Sequence, residues 1–367
     1  MLRRLVLYVV LAVALTHISR LVLVLGYFKT IHNHRPGPCR VVDGIAVGSE
    51  DITVSGDGLA FISSGLRGKN YYSDPRLVPP FLEGKISLFD FNHPENNAVE
   101  LPVKGNFDRE NFYPHGISLY EDPKTGERRL FAVNHHLATD EDRVEIFLFD
   151  DKTRSLNHLK TVTGKNMYSL NDLVAIGPET FYFSNDQYYV KNWLRELEVL
   201  SLVSWGTVGL YSNGEDRIVA SGFRNSNGVN VSPDGRYLYV AQPTAGSIVV
   251  FEIKEDHSLE KIQTILVHTG VDNIEVDKKT GDLWLGCHPS FHLWVDHTKN
   301  VTNPAGSQVL RVHFESKSAP YEKVDIRQVF MDDGNMVSGA SSASYYDNKL
   351  LVGTVIHKMA YCEIKAF

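Results

Sequence analysis

Cysteine is scarce in this chain, with three in 367 residues. That excludes the dense disulfide scaffold of a small secreted fold. No excess of positive charge is present either: 37 Lys and Arg stand against 44 Asp and Glu, a formal net charge of −7. Nucleic acid is therefore not the expected partner, because phosphate binding needs clustered Lys and Arg. No Gly-x-Ser-x-Gly elbow supplies a nucleophilic serine, and no glycine-rich loop cradles a phosphate. Helical periodicity is almost missing beyond residue 39, where Trp193 to Ser204 is the best candidate helix. What is present is ordinary globular composition, 43% apolar and 22% charged, enough for one large domain or two of usual size.

One long apolar run stands out. Leu5 to Thr16 is continuously apolar, His17 to Arg20 interrupts it, and Leu21 to Phe28 resumes, with Arg3 and Arg4 ahead. The first part fits a signal-peptide core of about 7–15 residues. The whole of residues 5–28 is long enough for a bilayer span of roughly 20. Arg20 would cost about 2.5–3.5 kcal/mol on an insertion scale. No small-x-small cleavage site follows Leu15, which favours an uncleaved anchor or interfacial helix over a cleaved signal. Both readings send the chain into the secretory route, to the lumen or outside, and the uncleaved one puts residues 5–28 on a membrane or lipoprotein surface. The sequon at Asn300-Val301-Thr302 fits that compartment as a glycosylation site. A second, at Asn230, is followed by Pro233 inside a strand pattern, which argues against its use. Cys39, Cys287 and Cys362 allow three pairings, and spacing does not choose among them.

From residue 39 the chain alternates short apolar runs with Gly, Asp, Asn and Pro, the pattern of strands joined by turns. A unit of polar residue, alternating strand, Gly-containing turn and second strand recurs. Its clearest copy is NGVNVSPDGRYLYVA, from Asn227. Others begin at Glu50, His115, Asn171 and Asp272, with a weaker one at Ser341. Such units must pack on their neighbours to bury their strands. Six copies predict an all-β, six-bladed β-propeller, with a hydrophobic N-terminal helix before it.

The innermost strand of each blade lines the propeller axis, so the residues opening equivalent strands converge. These are Glu50 and Asp51, His115, Asn171 and Asp172, Asn227, and Asp272 and Asn273. Asn or Asp opening one strand is an ordinary turn former. Recurrence across four blades, without Lys or Arg in the motifs, points instead to a hard cation held by carboxylate and amide oxygens. Calcium takes 6–8 such ligands, whereas zinc or iron would ask for more His or Cys. Neighbours on an extended strand point to opposite sides, so the adjacent pairs predict two separate ions. A lone histidine is more often a packed core residue, but His115 opens a blade beside these oxygens. Its unperturbed pKa of about 6.5 suits a general base.

At these residues the chain resembles the paraoxonase/arylesterase family of calcium-dependent lactonases and esterases. The likeness runs from about Cys39 to Cys362. It is carried by GSED at 48–51, GLAFISSGL at 58–66, PHGIS at 114–118, VNHH at 133–136, LNDLVAIGPETFY at 170–182, NGVNVSPDGRYLYVA at 227–241, VDNIEVD at 271–277, GDLWLGCHP at 281–289 and LLVGTVIHKMAYCE at 350–363. The resemblance implies a catalytic calcium on Glu50, Asn171, Asn227, Asp272 and Asn273. It implies a structural calcium on Asp51, Asp172 and the main-chain carbonyl of Ile117. His115 would be the general base, supported by His135 rather than the adjacent His136. Cys39 and Cys362 would form a disulfide and leave Cys287 free. The chain departs from the family pattern at Arg67 to Leu82, Asn225-Ser226 and Ser290 to Thr302, where substrate choice would lie.

The reading is of a membrane segment and linker over 1–38 and a hydrolase propeller over 39–367, acting on small lactones and aryl esters with two calcium ions. A competing reading is a membrane-anchored, paraoxonase-like assembly factor for membrane proteins, with calcium purely structural.

Overall fold

The computed structural model describes residues 1–45, 47–67, 82–139, 141–190, 192–315 and 323–365. Residues 68–81, most of the first departure from the family pattern, lie outside the described residues.

The alternating runs form six small sheets. Blade 1 comprises Ile52–Val54, Leu59–Ser64, Lys85–Asp90 and Val99–Glu100. Blade 2 comprises Pro114–Glu121, Arg128–His136, Glu141–Asp150 and Ser155–Val162, with Val103–Lys104 added in parallel at its outer edge. Blade 3 is Leu170–Ala175, Phe181–Asn185, Gly206–Ser212 and Glu215–Phe223. Blade 4 is Val229–Val231, Tyr237–Gln242, Ser247–Ile253 and Leu259–Leu266. Blade 5 is Gly270–Val276, Leu283–His288, Ser307–Phe314 and Val324–Asp332. Blade 6 is Ala340–Tyr346, Lys349–Thr354 and Met359–Glu363, and takes its fourth strand, Cys39–Val42, from the other end of the chain.

The six leading strands touch one another in a closed ring, from blade 1 to blade 6 and back. This is the six-bladed propeller that the repeats predict. Its apolar core lies between blades. Phe131, Val133 and Ile146 of blade 2 pack on Leu173, Phe181 and Phe183 of blade 3. Trp284, Val309 and Phe330 of blade 5 pack on Ala343, Leu350 and Val352 of blade 6. Each such side chain contributes about 1.5–3 kcal/mol when fully buried. With the apolar residues turned sideways into the blade interfaces, the axis is left to the polar residues that open the strands.

Closure rests on residues far apart in sequence. Cys39 pairs in register with Cys362 across Cys39–Val42 and Met359–Glu363. The two form a disulfide, and Cys287 is free and buried. Cys287 lies on the strand Leu283–His288.

Among the described residues three α-helices flank the propeller: α1 (Leu2–Val24), α2 (Asn192–Ser201) and α3 (Phe291–Lys299). α1 runs through His17 to Arg20 without a break, because its backbone bonds are internal to the helix. It buries no residue, and it is long and apolar enough to cross a membrane by length and composition. α2 ends at Ser201, three residues short of the Ser204 expected. Leu202 adopts a left-handed φ of 54°, which stops the helix.

The chain beyond α1 is fastened to the propeller. The Tyr27 ring stacks on His292 at 4.0 Å, and Lys29 Nζ donates to the His268 carbonyl at 2.6 Å. Burial lowers the Lys29 ammonium from its usual range.

Candidate functional site

Six leading strands bring their first residues to one end of the axis, and each strand carries an irregularity there. In blade 2, Pro114 pairs with Asn134 and Ile117 with Ala132, so one extra residue falls at His115-Gly116. The same shift falls at Asn171-Asp172 in blade 3 and at Asp272-Asn273 in blade 5. In blade 6 the extra residue is Ser341. Blades 1 and 4 show it in their hydrogen bonds. Glu50 N donates to the Ser63 carbonyl while Ser63 N donates to that of Asp51. Asn227 and Gly228 straddle Ala241 in the same way. These are β-bulges, which re-aim side chains at functional rims. The strand is thus irregular at each pair, and the bulge together with alternation sets where these side chains go.

Two groups of contacts result. In the first, Glu50 Oε1 accepts from Asn273 Nδ2 at 2.9 Å, and His115 Nε2 lies 3.5 Å from the same oxygen. Asp272 Oδ2 meets His288 Nε2 at 2.7 Å. Glu50 Oε2, Asn171 Oδ1, Asn227 Oδ1 and Asn273 Oδ1 are buried with no hydrogen-bond partner. A buried polar atom left unmade costs about 1–3 kcal/mol. One carboxylate oxygen and three amide oxygens at the strand openings of blades 1, 3, 4 and 5 thus keep unused lone pairs. Among the described residues no three His, Cys, Asp or Glu side chains group as a metal site. A donor set rich in amide carbonyls fits a hard cation such as calcium and does not fit zinc.

In the second group, Asp51 Oδ1 accepts from Ile52 N and Oδ2 from Ile117 N, both at 2.8 Å. Asp172 repeats the arrangement with Leu173 N and Val229 N, both at 2.7 Å. Ser63 Oγ accepts Asp51 N, and Ser184 Oγ accepts Asp172 N. Burial first, and then neighbouring carboxylates, push both acids well above the usual carboxylate range: Glu50 acts on Asp51, and Asp51 on Asp172. A cation would relieve that repulsion. The approach is close: a Cβ at Gly116 would lie 2.3 Å from Asp172 Oδ1, so only glycine fits there.

His115 heads a hydrogen-bonded line. Its Nδ1 lies 2.9 Å from His135 Nε2, and His135 Nδ1 lies 2.7 Å from Asp142 Oδ1. Burial lowers the His115 imidazole, but the carboxylates of Glu50, Asp272 and Asp186 outweigh it and leave it above its ordinary value. The neighbouring His136 turns away, with Nδ1 on Thr139 and Nε2 on Asp108. Asp142 is a residue that sequence reasoning missed: it sits in a charged run, TDEDR, that reads as a solvated turn. Burial pushes the Cys287 thiol up, which leaves no nucleophilic thiolate at neutral pH. Asn300 is exposed at the end of α3, its Oδ1 accepting from Thr302. The second sequon residue is engaged: Asn230 Nδ2 donates to Ile274 O at 2.8 Å.

A six-bladed propeller with a histidine line beside Glu50 and unpartnered amide oxygens at its strand openings defines the class, a propeller with its candidate site at the strand openings. The Arylesterase family model matches residues 30–364, and the chain belongs to that family. Human serum paraoxonase/arylesterase 1 is 41% identical over 327 residues, covering 89% of this chain and 88% of the relative. Rabbit (Oryctolagus cuniculus) serum paraoxonase/lactonase 3 is 39% identical over 338 residues, covering 92% of each. Among solved structures, a luciferin-regenerating enzyme superposes with a TM-score of 0.53 at 9% identity, covering 89% of this chain and 95% of its own. The PQQ-bound aldose sugar dehydrogenase of Streptomyces coelicolor gives 0.50 at 12%, covering 90% and 99%. At such identities the likeness is of fold, which does not carry function.

Proposed function

We propose that this protein is a calcium-dependent hydrolase of lactones and aryl esters. The observation that carries the reading is His115 Nε2 at 3.5 Å from Glu50, backed by His135 and set among the orphaned oxygens of Glu50, Asn171, Asn227 and Asn273. The names of the relatives, arylesterase and lactonase, supply the substrate class.

Glu50, Asn171, Asn227, Asp272 and Asn273 would hold the catalytic calcium. Asp51, Asp172 and the Ile117 carbonyl would hold the structural one. Bound calcium supplies a Lewis acid that polarises the scissile carbonyl and stabilises the developing oxyanion. His115 takes the proton of the attacking water at Nε2, and His135 Nε2 orients the ring through Nδ1. Glu50, His115, Asn171 and Asp272 are buried, and the lower effective dielectric around them strengthens each of these interactions.

Residues 1–38 serve as anchor and linker, with 5–28 on a membrane or lipoprotein surface, and 39–367 form the catalytic domain in an oxidising compartment. The Cys39–Cys362 disulfide and the exposed Asn300 sequon support that location. A purely chaperone-like propeller has no need of the histidine line, which is why the hydrolase reading is preferred. Hydrolysis of a panel of lactones and aryl esters, with and without a chelator, tests it. Turnover that needs calcium and disappears in His115→Gln is expected. A folded, calcium-loaded protein inactive on the whole panel would overturn it.

A further inference from the structure

Blade 2 carries three titratable side chains in a row across three adjacent strands. His115 is on Pro114–Glu121, His135 on Arg128–His136, and Asp142 on Glu141–Asp150. His135 and Asp142 are direct cross-strand partners, and the row closes with separations of 2.9 and 2.7 Å. The Asp142 side chain is only 5% exposed. Its second oxygen, Oδ2, accepts the Leu170 N–H at 2.9 Å. Leu170 precedes Asn171, so the carboxylate is pinned between the histidine line and the leading strand of blade 3.

The geometry points to Asp142 as a positioning residue that sets the proton arrangement of both histidines; this rests on the hydrolase reading of His115. A carboxylate oxygen can only accept. With one oxygen fixed on Leu170 N–H, the other receives the proton of His135 Nδ1. Neutral His135 then presents a bare Nε2, which accepts the proton of His115 Nδ1. His115 is left with a bare Nε2, the atom facing the site. One carboxylate thus selects the tautomer of two rings in turn, and the outer anion stabilises the imidazolium formed when His115 gains a proton. In the reaction an O–H bond of water breaks and the N–H bond at His115 Nε2 forms. The remaining hydroxide oxygen bonds to the scissile carbonyl carbon. Asp142 touches none of these atoms. It acts through His135.

Asparagine at 142 cannot serve both neighbours. Leu170 N–H and His135 Nδ1–H each need an acceptor, and the amide has one. The test compares wild type, Asp142→Asn, Asp142→Glu and His115→Gln as full chains, alongside 15N spectra of histidine-labelled protein. Expected for D142N is a fall in kcat of about 100-fold or more, with KM within about threefold. D142E is expected to recover part of the loss. In wild type, His135 is expected to carry its proton on Nδ1. D142N with unchanged kcat, while H115Q is inactive, would overturn this inference and leave the hydrolase reading standing. An active H115Q would instead sink that reading. If D142N fails to fold, the wild-type spectrum decides: a proton on Nδ1 of His135 supports the role, and one on Nε2 refutes it.

Discussion

Asp51 in blade 1 accepts the backbone N–H of Ile117 in blade 2, oxygen to nitrogen 2.8 Å. Asp172 does the same between blades 3 and 4 through Val229. These carboxylates are at once inter-blade ties and the proposed holders of the structural cation, so a cation bound there would be energetically linked to the ring of blades.

Chelation should therefore loosen the propeller as well as stop turnover. Calcium at about 100-fold its Kd stabilises by about 2.7 kcal/mol per site. Thermal melts with and without chelator read this directly. In Asp51→Ala, stability is expected to fall by about 1–3 kcal/mol from the amides left unpaired, and the calcium-dependent shift to shrink. An undiminished shift in D51A would remove Asp51 from the ligand set.

Cys39→Ser should weaken the fold. The bridge spans a sequence separation of 323, and losing such a link costs about 2–5 kcal/mol by restoring freedom to the unfolded chain. The Cys39–Val42 strand still pairs with Met359–Glu363, so activity at 25 °C is expected to survive. Denaturant titration paired with an ester assay separates the two effects.

Gly228→Ala should damage the site through its neighbour. A Cβ there would stand 2.6 Å from Asn273 Cα and from the Asp272 carbonyl. Overpacking of this kind costs about 1–3 kcal/mol, and the blade 5 strand carrying Asp272 and Asn273 must shift. The expected outcome is a fall in calcium affinity, read by titration with a chelating indicator.

Acid should destabilise the fold through His357. Burial first, and then the adjacent His297 and Lys358, push its imidazole down to about 4. Its Nδ1 accepts the Ser338 N–H at 3.1 Å, a bond that protonation removes. The unfolded imidazole titrates near 6.5, so the unfolded chain gains a proton before the folded one does. The stabilising share is present above about 6.5 and is lost as pH falls toward about 4. His357→Gln, whose amide oxygen can accept from Ser338, is expected to flatten denaturation midpoints across that window.

Deleting residues 2–24 should cost little stability, because α1 buries no residue. Flotation with phosphatidylcholine vesicles is expected to carry the full chain upward and leave the truncated one behind. Equal flotation of both would end the anchoring reading.

Repetition is what made the fold legible. NGVNVSPDGRYLYVA and its five relatives carry their own turns and strand alternation, and no single unit can bury its faces. Five of the six strand-opening positions were readable for the same reason: equivalent places in the repeat open neighbouring strands. The adjacent His135 and His136 part company in the fold, one turned to His115 and the other to Asp108.

Local sequence therefore determined the number of blades, the polar character of the axis, the apolar helix at the start and the residue types around the site. Tertiary structure alone decided how those residues point. Alternation places neighbours on opposite sides, and a one-residue bulge at each strand opening, set by pairing with a second strand, adjusts where they point. Asp142 escaped notice because its partners, His135 and Leu170, lie on other strands. No local pattern marks a carboxylate whose function is set by what the sheet lays beside it.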